Sequence, residues 1–94
     1  MENEEVRYLS VLAIVGTVCS LPEDGMRVNK IVQFLMNQGC SVRLDFQDVK
    51  LVTPSFYAAL SKGLYSVFPS SDINKRMAMS NLPDSFPSFP QHRP

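Results

Sequence analysis

Alternating apolar and polar residues predict one half-buried strand in the middle of the chain. Val42, Leu44 and Phe46 alternate with polar neighbours, which is the period of two that a strand has when one of its faces lies in a core. A short apolar run follows over residues 49–52. Residues 54–67 then repeat apolar side chains at helical spacing, and this repeat predicts an amphipathic helix.

The pattern upstream predicts a buried strand, a turn and a first helix. The apolar run between Tyr8 and Leu21 resembles a signal-peptide core, but the residues before it are net acidic and the run is too short to span a bilayer. We interpret it as buried sheet, forming more than one strand. Residues 21–25 carry turn residues, residues 28–36 have one apolar face, and Gly39 is suited to end that helix.

The pattern downstream predicts a last strand and a tail. Residues 69–72 end the second helix, and residues 76–80 form the last strand. Prolines recur from Pro83 onward and exclude regular structure. A repeated Ser-Phe-Pro triplet would place Phe86 and Phe89 on one edge of a polyproline helix. We interpret this segment as a tail that straps over its own domain or is partly disordered, with a partner-binding motif as the alternative.

Composition excludes several classes of function. Nine acidic and nine basic residues give a net charge of zero, so no basic field holds a nucleic acid. Cys19 and Cys40 are too few for a disulfide scaffold, although one bridge stays open as the less favoured reading, and no CxxC or histidine partner indicates a metal site. His92 lies in the tail, so no nucleophile–histidine set can be assembled. We expect a cytoplasmic protein that is not an enzyme and uses no cofactor, metal, nucleic acid or membrane.

The start of the second helix carries the most chemically informative residue. Thr53 can cap this helix through its hydroxyl, and Pro54 suits the first helical position. Ser55 then lies in the first turn, where free backbone N–H groups and the helix dipole favour negative charge. Ser55 is therefore a candidate phosphorylation or partner-contact residue. The alternative is a structural serine whose hydroxyl bonds to the local backbone.

These residues resemble the STAS-like domain family found in bacteria. The resemblance is carried by Leu44, Asp45, Phe46 and Val49, followed by Thr53, Pro54, Ser55 and Phe56. Residues 23–25, ahead of the first amphipathic helix, extend the match, which covers residues 16–64 well. More distantly, the pattern is similar to anti-sigma-factor antagonists, in which a regulatory serine opens the helix after the same strand. The position that matches that serine is Ser55.

The resemblance implies a small STAS-like α/β domain over residues 1–82, with a Pro/Phe-rich tail over residues 83–94. The expected architecture is a mixed sheet of about four strands with two main helices packed on one face. The chain departs from the family pattern at residues 21–22, where relatives often carry an arginine, and at residues 58–59, where they often carry an acidic pair. The tail stands where the family commonly has a closing helix.

The resemblance also implies a function. The expected protein is a non-enzymatic regulatory module that binds another protein, such as a histidine-kinase-like ATPase, and is switched by serine phosphorylation. Besides Ser55, the candidate binding surface contains Asp45, Gln47, Asp48, Thr53 and Tyr57. Two alternatives stay open: an oligomerisation or scaffold module without a switch, and a small-ligand domain using the strand ends, where α/β proteins gather ligand sites. For Asp45 the structural alternative is that its carboxylate only accepts hydrogen bonds within a turn.

Overall fold

The computed structural model describes residues 5–86 and arranges them as helices and parallel sheets. In chain order the elements are β1 (Val6–Ser10), α1 (Val11–Ile14), β2 (Val18–Cys19), α2 (Pro22–Asn37), β3 (Ser41–Asp45), β4 (Leu51–Val52), α3 (Pro54–Val67), α4 (Ser70–Arg76) and β5 (Met77–Ser80). The predicted α/β class is confirmed. None of the helices within residues 5–86 is both long and apolar enough to cross a bilayer.

Every strand pairing in the described part of the chain is parallel. β3 lies between β1 and β5, so that Ser10 is opposite Asp45 and Asp45 is opposite Ser80. β2 and β4 form a separate two-stranded sheet. The predicted single mixed sheet is therefore matched only in part. The reason is the order of elements: a long helix stands between each strand and its sheet partner, and such a crossover returns the chain in the same direction.

The N-terminal apolar run contains more than one strand, as predicted, but a helical turn interrupts it. The Ser10 hydroxyl accepts a hydrogen bond from the Ala13 backbone N–H at 3.1 Å, which caps α1 and ends β1. The predicted turn over residues 21–25 is wrong, because α2 already begins at Pro22. Proline suits the first helical position, and two acids in the first turn complement the helix dipole.

The two main helices share one core with the inward face of β3. The buried members are Val28, Val32 and Met36 of α2, Phe56, Leu60 and Leu64 of α3, and Val42 and Leu44 of β3. Gly25 permits the close approach of the helices, because a Cβ at this position would overlap the Phe56 carbonyl oxygen. This contact sets the distance between α2 and α3.

A buried polar residue also joins the two helices. Asn29 is fully buried, and its Nδ2 donates to the Leu60 carbonyl at 2.7 Å. Its Oδ1 accepts from Gln33 Nε2, so both ends of the amide are paired.

The short helix α4 was not predicted, because the sequence Pro-Ser-Ser-Asp at residues 69–72 was interpreted as the end of the preceding helix. Asp72 in its first turn and Lys75 near its end both complement the helix dipole, and Ile73 is buried. Arg76 then donates through Nη2 to the Met36 carbonyl at 2.6 Å and to the Cys40 carbonyl at 2.8 Å. These bonds satisfy carbonyls at the end of α2 and beyond it.

Gly39 ends α2, as predicted. Its φ is +90°, a left-handed conformation that glycine adopts readily and that commonly ends a helix.

Candidate functional site

The start of α3 is held by Thr53, which acts as its cap. The Thr53 Oγ1 accepts from the Phe56 backbone N–H at 3.2 Å and donates to the Ser20 carbonyl at 3.2 Å. The hydroxyl therefore closes α3 and joins its start to the segment before α2. Thr53 was predicted to be part of a binding surface. In the structure it is half-buried, and its hydroxyl stabilises the start of α3.

Ser55 is exposed in the first turn of α3. Its hydroxyl makes no hydrogen bond with any of residues 5–86, and the cap of α3 is supplied by Thr53. The side chain lines a groove between α2 and α3, which we call the α2–α3 groove, with a volume of about 640 Å³. Its other lining residues include Pro22, Met26, Ala58, Lys62 and Ser66.

The α2–α3 groove is lined mainly by small residues and contains one positively charged side chain, that of Lys62. Lys62 is exposed and forms no ion pair within the described chain, and Met26 is 42% exposed. The other lining residues of α3 are small: Ser55, Ala58, Ala59, Gly63 and Ser66. This groove was not predicted from the sequence, although the spacing of small residues by three or four positions along α3 is a signal that indicates such a face.

Asp45 lies at the carboxyl end of β3 and serves as an acceptor within the fold. Its Oδ1 accepts from Asn81 Nδ2 at 2.8 Å and from the Gln47 backbone N–H at 2.9 Å. These two bonds, of which the Asn81 bond has the larger effect, hold the pKa of the Asp45 carboxyl below its usual value. Gln47 and Asp48 are exposed, and Asp48 has a φ of 67° in the bend before β4, a conformation that aspartate tolerates.

Tyr57 lies under the first residues of the tail. The Phe86 ring is edge-on to the Tyr57 ring at 5.1 Å between centroids, and edge-on to the Phe46 ring at 5.6 Å. The Ser85 hydroxyl donates to the Lys50 carbonyl at 2.9 Å. Burial, with a smaller effect of Tyr65, raises the pKa of the Tyr57 phenol. The tail thus lies over its own domain as far as Phe86; the predicted partner ring, Phe89, lies outside the described residues.

The candidate surface is therefore divided into two regions. Ser55 and Tyr57 are two positions apart on α3, so their side chains point about 200° apart around the helix axis. Ser55 faces the α2–α3 groove, whereas Tyr57 faces the tail. Of these two sides of α3, the Ser55 side is the one that borders the α2–α3 groove.

The two cysteines offer no accessible nucleophile. Cys19 and Cys40 are both buried and unpaired. Burial, with a smaller effect from Asp24, raises the pKa of the Cys19 thiol to about 11, so this thiol is protonated near neutral pH. Residues 5–86 also hold no group of three metal-ligating side chains.

Replacing Phe86 by alanine should lower the free energy of unfolding by about 1 kcal/mol, because two edge-on aromatic contacts are lost. The pKa of Tyr57 should fall towards its ordinary value, because the phenol becomes hydrated. Thermal unfolding and an NMR titration of the tyrosine rings measure the two effects. Phe34→Ala is the matched control, since the Phe34 ring is 63% exposed. An unchanged Tyr57 titration in Phe86→Ala would contradict the contact.

Comparison of the chain with family models, with curated proteins and with solved structures gives no match.

Proposed function

We propose that this protein is a non-enzymatic regulatory module, related to STAS-like domains, that binds a partner protein through the α2–α3 groove. One observation carries the proposal: the Ser55 hydroxyl is exposed at the edge of the groove, and the capping bond of α3 is made by Thr53 instead. The hydroxyl is therefore available for contact or modification without loss of the helix cap.

The groove suits a partner helix with an apolar face and a nearby acid. Small residues such as Ala58 and Gly63 let a partner backbone approach closely, and the Met26 side chain can adapt to several apolar shapes. Lys62 is the charged residue of the groove, so an acidic residue on the partner would fix orientation. A histidine-kinase-like ATPase is the partner class that the family resemblance favours, in a bacterial cytoplasm.

Phosphorylation of Ser55 would weaken this interaction. The modification adds a charge of about −2 at neutral pH, and the N-terminal end of α3 tolerates this charge without unfolding. Ser55 and Lys62 line the same groove, two helical turns apart, which is about 10 Å along the axis. The added charge would offset Lys62 and repel the partner's acid, and because about 10 Å is close to the screening length at 0.1 M salt, the effect should grow as the salt concentration is lowered.

A photo-crosslinker placed at Ser66, which lines the groove and leaves Lys62 in place, tests the proposal. In extracts of the native host, wild type and Ser55→Ala should capture the same partner. Ser55→Asp should bind the purified partner about tenfold more weakly, as a loss of about 1.4 kcal/mol would give. Ser70→Asp is the matched control, since it puts the same charge into the first turn of α4. Equal affinity of wild type, Ser55→Ala, Ser55→Asp and Ser70→Asp would show that Ser55 has no role in binding. Equal capture of the partner by a crosslinker at Lys30 would show that the partner does not bind in the α2–α3 groove.

A further inference from the structure

A second cavity lies at the amino-terminal ends of the strands in the first sheet. It has a volume of about 170 Å³ and is bounded by the first residues of β1, β3 and β5 and by the end of α4. Its polar lining comes from Ser41, Arg43, Asn74, Lys75 and Arg76. None of these residues belongs to the α2–α3 groove, so the cavity is independent of the proposed function.

The positive charges of this cavity are paired with no carboxylate within the described chain. Three cationic side chains line it, and its lining contains no carboxylate. Arg43 and Lys75 are exposed and form no hydrogen bond or ion pair with residues 5–86. Arg76 uses its Nη2 for the carbonyls of Met36, in the last turn of α2, and Cys40, beyond α2, so its charge contributes to the cavity more than its donors do.

Glu5 and Asp72, the described acids that are close in the chain to lining residues, form no ion pair with these cations. The Glu5 carboxylate accepts from Arg7 Nε at 3.0 Å. Arg7 is opposite Val42 in the register of the sheet, so it is on the other face from Arg43. Asp72 lies in the first turn of α4 and is not among the lining residues.

We propose that this cavity binds the phosphate group of a small phosphorylated ligand. Arg43 offers a planar fork of N–H donors that matches phosphate oxygens, Lys75 adds a compact charge, and the Asn74 amide adds a neutral donor. Pockets that enclose a drug-sized ligand measure about 300–1,000 Å³. A cavity of about 170 Å³ therefore suits one such group, with the rest of the ligand outside it.

An NMR titration of the full chain with inorganic phosphate, at constant ionic strength set by chloride, tests this site. We expect saturable shifts in the amides of Ser41, Arg43 and residues 74–78. Binding should weaken as the pH is lowered from slightly alkaline to acid values, because inorganic phosphate then takes up a second proton and keeps only one negative charge. Arg43→Gln and Lys75→Gln should each weaken binding about tenfold. Both residues are exposed, so these variants should fold like wild type.

Lys62→Gln is the matched control, because Lys62 is also an exposed lysine without an ion pair among residues 5–86 but lies in the α2–α3 groove. This variant should leave phosphate binding unchanged. Shifts that do not saturate, or equal weakening by Lys62→Gln, would overturn the proposal. Glu2 and Glu4 precede Val6, which lines the cavity, so the titration is repeated with a Glu2→Gln, Glu4→Gln variant. Phosphate binding seen only in the Glu2→Gln, Glu4→Gln variant would show that the chain's own acids fill the cavity, and would overturn the proposal too.

Discussion

Replacing Phe56 by alanine should lower the free energy of unfolding by about 4 kcal/mol, the loss expected for a fully buried phenylalanine. The Phe56 ring is 0% exposed and belongs to the core formed by α2, α3 and β3. The neighbours that surround it are held by their own helices and strands, so they cannot close the space left by the ring. Urea unfolding followed by circular dichroism measures the change.

Two further variants keep this prediction testable if Phe56→Ala does not fold. Phe56→Leu retains most of the apolar volume and should cost about 1 kcal/mol. Tyr65→Ala removes a ring of similar size from the same helix, but this ring is 53% exposed, so the effect should be within about 0.5 kcal/mol. A Phe56→Leu loss as small as that of Tyr65→Ala would mean that the ring is not packed in the core.

Replacing Gly25 by alanine should lower the free energy of unfolding by about 3 kcal/mol, at the upper end of the usual cost of overpacking. Alanine is favoured over glycine within a helix by about 1 kcal/mol, so local propensity alone predicts the opposite sign. The added Cβ would overlap the Phe56 carbonyl oxygen and touch the Ala59 Cβ at 3.0 Å. Since a backbone atom of α3 cannot rotate away, α2 and α3 would have to separate.

Gly63→Ala provides the comparison for Gly25→Ala. A Cβ at Gly63 would meet the Asn29 Nδ2 at 2.9 Å, and this is a side-chain atom that can shift at the expense of its bond to Leu60. The loss should therefore be smaller, about 1–2 kcal/mol, which is the cost of one weakened buried hydrogen bond. Thermal unfolding of both variants measures the difference, and a Gly25→Ala protein as stable as wild type would refute the close helix contact.

These two variants also concern the proposed partner site. The α2–α3 groove exists because Gly25 brings the helices together while Ser55, Ala58 and Lys62 face outward. A partner that binds in this groove should bind the Gly25→Ala variant more weakly than wild type, even if the variant folds. The phosphate cavity shares no residue with the groove, so it should be unaffected by this change.

Local sequence signals were sufficient for the longest elements. The alternation around Leu44 and the pair Thr53-Pro54 predicted β3 and the full extent of α3, because strand period and helix capping depend on residues that are close in the chain. Gly39 was recognised for the same reason. In contrast, α1 and α4 have only four and seven residues, and such lengths hold too few turns to show a periodic pattern.

The sequence by itself determined the α/β class, the start of α3 and the presence of a serine in its first turn. Only the tertiary structure decided that the strands divide into a three-stranded and a two-stranded sheet, that Ser55 and Tyr57 face different surroundings, and that Phe86 covers Tyr57. It also brought Arg43 and Lys75, far apart in the chain, to one cavity. The physical reason is that capping and periodicity act over a few residues, whereas grooves, cavities and covered rings arise from packing between distant segments, which no local pattern specifies.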